Sequence, residues 1–430
     1  MTMESTASLG SILANISAEL IARDTALVVR AESVTGNERP ALEAIASIAT
    51  DLELECELIE FDLTALRTQP GYPGSVAARE SLWGLGVTLR GLDPDAARFL
   101  LNGHVDVVSP GPLPWAISPW SGTIEGGRVY GRGSVDMKGG LVAALHAMGA
   151  MRRAAVALRG DVVLHAVSSE EDGGQGTFAM LGQDANFSGC IIPEPTGLQI
   201  ACAHAGFLQF RGTIHGVSAH AATRRAGVSA LDVYQRVHLA LQEFELRENE
   251  RVASPLMREL ELPYPVVVGR IEGGRWASQV PDQLTFEGRV GIPVGSSGDA
   301  VWTRFRGSIG AAVAIESAAS IELEVLSLCE PGETPSDGPL ATLAREALGA
   351  EVGERRVVVG VPWGADMREV VRRGVPCIMV GPTGIERTHA VDEWVDIEEL
   401  ATVSRVIART LVAADGVACG REASTNGRSR

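Results

Sequence analysis

Lysine is almost absent from this chain of 430 residues: Lys138 is the only one, and arginine supplies every other basic side chain. We interpret that bias as a trait of genome composition. Basic side chains are also outnumbered, 37 against 54 acidic ones, which gives a formal net charge of -17 and a pI of about 5.0. A surface this acidic repels phosphate backbones, so we expect no nucleic-acid partner.

The chain also lacks paired cysteines, a signal peptide and long apolar runs. Its six cysteines form no CxxC pair and mostly lie in apolar segments, which predicts buried free thiols in a reducing compartment. The N-terminal segment has neither a basic n-region nor an apolar h-region. No apolar run approaches the roughly 20 residues that cross a bilayer. We therefore expect a cytoplasmic protein with no membrane partner.

The length predicts two domains, since 430 residues exceed what one compact core accommodates. Short apolar strands alternate with helical segments in residues 1–205 and 332–415, which indicates an α/β domain with a mainly parallel sheet, an α/β/α sandwich. Residues 206–331 predict an inserted α+β domain of two helices and about four strands. We expect residues 416–430 to form a disordered tail.

Two helices are expected near the N-terminus. The apolar spacing predicts one over Ser11–Val29 and another over Pro40–Ile48, with Asn37 as the N-cap of the second.

Five separated segments carry side chains that can bind metal ions. Most follow a predicted strand, and one lies in a glycine-rich loop before a helix, so we expect all of them at one edge of the sheet. Two histidines with several carboxylates suit a pair of divalent cations, with zinc as the first choice on chemical grounds, and such a pair ionises water for amide hydrolysis. The segments are GHVDVV (His104, Asp106), GRGSVDMKGG (Asp136), SSEEDGG (Glu170, Glu171), IIPEPTG (Glu194) and ERTHAVDEW (His389).

Each segment alone has an ordinary explanation. An HxD triplet is usually a surface or core pair, two adjacent glutamates often start a helix as a capping box, PEPT is often only a turn, and a late histidine is often a surface residue. Their order and their common edge favour a metal site.

Chemistry suggests a role for each residue. A ligand imidazole needs its second nitrogen fixed, and Asp106 lies two residues after His104 in an extended chain. Asp136 has two oxygens and can bridge both ions. Adjacent side chains in the Glu170-Glu171 pair point in opposite directions, so one can bind metal while the other faces the water and acts as base and then acid.

These motifs resemble the metallopeptidase family that includes acetylornithine deacetylase, succinyl-diaminopimelate desuccinylase, aminoacylase and carboxypeptidase G. The likeness runs from about Val34 to Val395 and extends to GVSAHAA, VPD and WGADMR, in the family's order. It implies an enzyme with two divalent ions, zinc first and cobalt or manganese as alternatives.

The resemblance also implies specific ligands. One ion is held by His104, Asp136 and Glu194, and the other by Asp136, Glu171 and His389. Asp106 clamps the imidazole of His104, Glu170 is the general base, and a cis peptide follows Asp136.

The resemblance further implies a homodimer formed through the inserted domain. His220 then reaches into the partner's active site and stabilises the tetrahedral oxyanion; its ordinary explanation is a polar residue at a helix start.

Substrate contacts are less well defined. Ser278 stands where the family usually has asparagine, and Arg289 lies near, but not at, the usual carboxylate-binding arginine. Gly364 and Asp366 of WGADMR are further candidates.

Several functions remain open. The leading hypothesis is hydrolysis of an N-acyl amino acid or a related N-acyl amine. The same chemistry serves a dipeptidase or carboxypeptidase, and the acetylornithine-deacetylase-like subgroup includes a deformylase of aminopyrimidine. A catalytically inactive binding protein is the alternative from another class, and the complete set of ligands argues against it.

Overall fold

The computed structural model describes residues 3–75, 77–156, 158–183, 186–353 and 358–425, with the backbone alone described for 3–8 and 416–425. The chain divides into two units. The first comprises Met1–Cys202, Thr334–Val359 and Glu369–Arg430, and the second comprises Ala203–Glu333 and Gly360–Arg368.

The described residues form sixteen strands, eleven α-helices and four short helical turns, at Ser134–Lys138, Ala221–Ala226, Met257–Glu259 and Ile385–Arg387. The strands are β1 Glu55–Phe61, β2 Leu82–Leu89, β3 Arg98–His104, β4 Thr123–Glu125, β5 Arg128–Tyr130, β6 Val162–Val167, β7 Phe187–Ile192, β8 Ile200–His204, β9 Gly206–His215, β10 Val266–Gly273, β11 Gln283–Ile292, β12 Ser320–Cys329, β13 Gly332–Glu333, β14 Val358–Val361, β15 Cys377–Met379 and β16 Trp394–Asp396. The helices are α1 Met3–Ala14, α2 Ala18–Arg30, α3 Arg39–Asp51, α4 Leu63–Arg67, α5 Gly139–Arg153, α6 Gln175–Gln183, α7 Ala230–Asn249, α8 Gly298–Ala314, α9 Pro339–Val352, α10 Met367–Val371 and α11 Ile397–Thr425.

A large sheet forms the centre of the first unit. Its strands follow the order β1-β2-β6-β3-β7-β15-β8. The four central strands, β6, β3, β7 and β15, are parallel, whereas β1, β2 and β8 pair antiparallel to their neighbours. The predicted fold class, α/β with a mainly parallel sheet, is confirmed.

Small residues bring α5 close to the segment that follows β7. This helix packs against β3 and β6. A Cβ on Gly140 would lie 2.0 Å from the carbonyl oxygen of Pro193, so only glycine allows this approach. The KGG sequence therefore sets the distance between the start of α5 and Glu194.

The N-terminal helices differ from the prediction. The expected helix over Ser11–Val29 is two helices, because Ser17 starts a new one by accepting the N–H of Leu20 (3.2 Å). Glu38, rather than Asn37, occupies the N-cap position of α3. Asn37 belongs to the preceding turn, where its N–H donates to the carbonyl of Val34 (2.8 Å).

The second unit has an α+β architecture of two layers, one of strands and one of helices. Its four-stranded antiparallel sheet has the order β10-β11-β9-β12, and α7 and α8 pack against it around a core that includes Phe210, Phe286 and Phe305. The last residues of β8, Ala203 and His204, pair with β13.

The second unit also contains residues 360–368, which the sequence assigned to the other domain. A Cβ on Gly364 would lie 2.5 Å from Sγ of Cys329 and 2.6 Å from Cε1 of Phe207, so this glycine lets the segment pack closely against the unit.

The C-terminal segment also differs from the prediction. Helix α11 continues to Thr425, past the expected start of a disordered tail at Gly416. No proline interrupts residues 416–425, so every backbone N–H there can join the helical ladder. Residues 426–430 of that predicted tail lie outside the described residues. Among the described residues, no helix has the length and apolar character that a bilayer crossing requires.

Candidate metal centre

The parallel strands carry ligand residues to one edge of the large sheet. His104 ends β3, Glu170 and Glu171 follow β6, and Glu194 follows β7 by two residues. These strands are parallel, so their carboxyl ends meet at the same edge, as expected from the sequence.

A small antiparallel sheet brings Asp136 and His389 to the same place. Tyr130 at the end of β5 pairs with Trp394 at the start of β16. The residues just after β5 and just before β16 therefore lie side by side, and these are the turn Ser134–Lys138 and the loop that contains His389. The peptide bond between Asp136 and Met137 is cis, as the resemblance implied.

Two groups of side chains share Asp136. His104, Asp136 and Glu194 form one, and Asp136, Glu171 and His389 form the other; within each, the ligand atoms all lie within 4.8 Å of one another. Nε2 of His104 is 3.3 Å from Oδ1 of Asp136 and 3.6 Å from Oε1 of Glu194. Nε2 of His389 is 3.5 Å from Oδ2 of Asp136. The two oxygens of Asp136 thus face different histidines.

The carboxylates strongly favour positive charge on both histidines. Burial by itself would lower the pKa of His104, but Asp136, Glu194 and other nearby carboxylates hold it well above its usual value. Hydrogen bonds to Asp136 and Glu171 raise the pKa of His389 to about 10. Burial raises the pKa of Glu171, whereas the two histidines keep that of Asp136 below its usual range against the effect of burial. The negative charge that favours protonation of the histidines also favours binding of a divalent cation. The donor set of two imidazoles and three carboxylates suits such a cation.

Asp106 contacts the centre differently from the expected clamp. The acceptor nearest to Nδ1 of His104 is the backbone carbonyl of Asp106 at 2.9 Å, while the carboxylate Oδ1 is 3.6 Å away. The carboxylate is already engaged, since it accepts the N–H groups of Glu170 (3.0 Å) and Glu171 (3.2 Å) and the hydroxyl of Thr35 (3.0 Å).

Glu170 and Glu171 lie in a turn that follows β6. The N–H of Gly173 donates to the carbonyl of Glu170 (3.2 Å), which closes the turn. Both side chains are half-buried, and Glu170 contributes to the raised pKa of His104. Neither ligand group of the described residues includes Glu170.

The remaining predicted residues belong to the second unit. His220 is exposed, and its Nδ1 accepts the N–H of Ala222 (3.1 Å), which is the ordinary helix-start contact considered for it. The carbonyl of Ser278 accepts the N–H of Ala221 (2.9 Å), so His220 and Ser278 lie close together.

Arg289 and Asp366 have structural partners in that unit. The guanidinium of Arg289 lies over the ring of Phe207, 4.3 Å from its centroid. Asp366 is buried, and its Oδ1 lies 3.6 Å from Nη2 of Arg368. The contacts with substrate that the sequence suggested for Ser278, Arg289, Gly364 and Asp366 stay predictions.

Sequence reasoning assigned no role to three buried charged residues around Asp136. Nη1 of Arg132 donates to Oε2 of Glu393 (2.6 Å). Nζ of Lys138 donates to the carbonyls of Val28 (3.2 Å) and Ala31 (3.0 Å), near the end of α2. The sequence does hint at these residues, because each lies within a few positions of a proposed ligand. Arg132 lies in GRG, Lys138 in DMK and Glu393 in DEW.

Comparison with known proteins identifies the family. Residues 100–413 match the model described as Peptidase family M20/M25/M40, which spans more than half of the chain. The chain belongs to this family. It is therefore a hydrolase of a metal-dependent family, and its cluster of His104, Asp136 and Glu194 can hold a metal ion.

Named relatives share about a quarter of their residues with it. Succinyl-diaminopimelate desuccinylase 2 of Ruegeria sp. is 26% identical over 405 residues, covering 90% of this chain and 93% of the relative. N-formyl-4-amino-5-aminomethyl-2-methylpyrimidine deformylase of Bacillus subtilis is 26% identical over 353 residues, covering 74% and 80%.

A solved structure shares the fold. A di-peptidase from Saccharomyces cerevisiae superposes with a TM-score of 0.74 at 13% identity, covering 95% of this chain and 98% of that one.

Proposed function

We propose that this hydrolase cleaves the linear amide of an N-acyl amino acid or related N-acyl amine, with water as the second substrate and a carboxylate and an amine as products. The observation that carries the proposal is the pair of ligand groups that share Asp136. The named relatives that remove succinyl and formyl groups from amines support this substrate class.

Two divalent cations per chain are proposed, with His104, Asp136 and Glu194 as ligands of one and Asp136, Glu171 and His389 as ligands of the other. Mixed imidazole and carboxylate ligands favour zinc, with cobalt and manganese as alternatives. Bound there, such cations would supply Lewis acidity, which would polarise the scissile carbonyl and lower the pKa of a water.

Glu170 is proposed to carry the proton. Its carboxylate takes a proton from the attacking water and then gives it to the nitrogen of the leaving amine. Two observations support this role: Glu170 lies next to the ligand Glu171 in a turn held by Asp106, and it stands outside both ligand groups of the described residues. Asp106 positions this turn through its carboxylate and His104 through its carbonyl.

A homodimer is proposed, with the second unit as the interface. Helix α7 and strand β10 expose large apolar side chains, and β10 pairs with β11 alone among the described strands, which leaves an edge open to a second copy. These side chains are Leu239 (64% exposed), Leu246 (65%), Val267 (54%) and Ile271 (53%). In such a dimer, His220 is proposed to have the role that the resemblance implies, which is to stabilise the oxyanion in the partner's active site.

Sedimentation tests the dimer. The wild type should sediment as a dimer, and Leu239→Glu with Val267→Glu as a monomer. Leu92→Glu is the matched control, because Leu92 is 75% exposed in the first unit and should not affect assembly. A monomeric wild type at micromolar concentration would contradict the proposal.

A reducing, cytoplasmic compartment is also proposed. The five cysteines whose side chains are described are free thiols, four of them buried, which is typical of proteins in such compartments.

Two narrower activities stay open as second candidates. The Bacillus subtilis relative favours deformylation of an aminopyrimidine, and the likeness to di-peptidases allows peptide hydrolysis.

A substrate panel tests the proposal. Metal-loaded and chelated protein would be compared on N-acetylornithine, N-succinyl-diaminopimelate, a formylaminopyrimidine, N-acetyl amino acids and dipeptides. Chelator-sensitive release of a carboxylic acid from one N-acyl amine is the expected result. If dipeptides are the only substrates cleaved, with release of free amino acids, the proposed activity is wrong and the peptidase alternative takes its place.

A further inference from the structure

Glu393 connects the two segments that bring Asp136 and His389 together. It lies four residues after His389 and directly before β16. Its carbonyl accepts the N–H of Gly131 (2.9 Å), which extends the pairing of β5 with β16 toward the turn Ser134–Lys138. Glu393 is therefore fixed by its own backbone beside the turn that carries Asp136.

The side chain of Glu393 contacts that turn directly. Oε1 accepts the N–H of Val135 (3.0 Å), and the N–H of Asp136 also points to it at 3.4 Å. Oε2 accepts from Nη1 of Arg132 (2.6 Å). The carboxylate is 1% exposed and Arg132 is 2% exposed, so water does not compete for these bonds.

A buried ion pair adds little to stability as a rule, because the cost of removing both charges from water offsets their attraction. A contribution to folding stability therefore explains the pairing of Glu393 with Arg132 poorly. The position of Asp136 explains it better, because Asp136 is the only residue shared by both ligand groups of the described residues. Its backbone is non-helical (φ -121°, ψ 94°) inside the turn, and Glu393 contacts the turn from outside at Val135 and Asp136.

We propose that Glu393 is a positioning residue for the metal centre: it binds the backbone of the Asp136 turn and sets the position of the shared carboxylate relative to His389, while Arg132 orients Glu393. The inference rests on the proposed function, since it requires that Asp136 bind cations. Residues that orient metal ligands typically change metal affinity by about 10–100-fold when substituted.

The test is a Co²⁺ titration of the chelated protein, followed by visible absorption, with two variants and a control. Glu393→Ala removes every contact. Glu393→Asp keeps the charge opposite Arg132 but withdraws the carboxylate by about 1.5 Å, one carbon–carbon bond. His146→Leu is the control, because it breaks another buried pair of the first unit, in which Nε2 of His146 lies 2.9 Å from Oδ2 of Asp24.

The wild type and the control are expected to bind two Co²⁺ ions with equal affinity, although the control melts at a lower temperature. Both Glu393 variants should bind both ions at least about tenfold more weakly, with shifted absorption bands, because Asp136 serves both groups. If the alanine variant does not fold, the aspartate variant carries the test.

If Glu393→Asp binds two ions as tightly as the control and its spectrum is unchanged, the inference is overturned. The proposed function would remain intact in that case. A wild type that binds no Co²⁺ would overturn both. The two failures are therefore distinguishable.

Discussion

Nε2 of His389 lies 3.1 Å from Oε1 of Glu171, although the two residues are 218 positions apart in the chain. The contact to Asp136 and this one to Glu171 raise the pKa of the imidazole to about 10, so His389 is an imidazolium at neutral pH. A metal ligand must be deprotonated, and a cation that uses His389 must therefore displace this proton.

Binding of Zn²⁺ should release protons and tighten with rising pH. Because the free imidazole stays protonated below its pKa of about 10, each displaced proton should strengthen binding by about tenfold per pH unit across the neutral range. Calorimetry in two buffers of different ionisation enthalpy counts the protons. His389→Ala is the control and should release fewer. Zero release with a pH-independent affinity would show that His389 does not bind the ion.

Glu170→Gln should lower kcat by about 10²–10⁴-fold, because the amide cannot transfer the proton. Cation affinity should change little, since Glu170 stands outside both ligand groups of the described residues. Glu171→Gln is the matched comparison at the next position and should lose cations instead. Full turnover of the Glu170 variant with cations bound would contradict the assignment of the base.

His220 can be tested by mixing inactive variants. If it serves the partner's site, the chain with His220→Ala keeps Glu170 and can receive His220 from a chain with Glu170→Ala. Random reassortment of the two homodimers should then restore about a quarter of wild-type activity, because half the dimers carry one complete site. Each variant alone stays inactive as the control. No recovery after confirmed subunit exchange would contradict action in the partner's site.

Lys138 is completely buried, and arginine should not replace it. The larger guanidinium must fit where Nζ donates to Val28 and Ala31, and such overpacking costs about 1–3 kcal/mol of unfolding free energy. Urea unfolding of Lys138→Arg measures the loss. Lys138→Met is the comparison of similar length, since it removes the hydrogen bonds to Val28 and Ala31 without adding bulk and so separates their loss from overpacking.

The single lysine also gives a chemical test of the same contact. Burial lowers the pKa of Lys138 to about 7, so at mildly alkaline pH its amine is largely neutral, and only burial protects it from acylation. Amine acylation followed by mass spectrometry should modify Lys138 in urea and spare it in the folded protein. Equal modification in both conditions would show that the side chain is accessible.

Much of the fold was predictable because each unit obeys a local pattern. Apolar runs of strand length alternate with helical spacing, and the four central strands are parallel as expected. The ligand residues could be grouped because His104, Glu171 and Glu194 lie at or just after the ends of parallel strands. The assignment of residues 360–368 failed, because their place depends on packing against Phe207 and Cys329, which no local pattern encodes.

The contacts that hold the ligands were the least predictable part of the site. Spacing suggested that the carboxylate of Asp106 clamps His104, but that carboxylate accepts the N–H groups of Glu170 and Glu171. Such bonds go to the backbone, which every residue carries, so the sequence contains no signal for them. For Glu393 the sequence showed a charged residue close to a proposed ligand, in DEW, but not the backbone N–H groups that its Oε1 contacts.

The most direct test of the account is turnover measured against cation equivalents. Zn²⁺ would be added stepwise to the chelated protein, with the rate followed on the panel amide that is cleaved fastest. We expect no turnover without cation and a rate that rises until two equivalents per chain have been added. Undiminished hydrolysis by the chelated protein, or a rate that saturates at one equivalent, would contradict it.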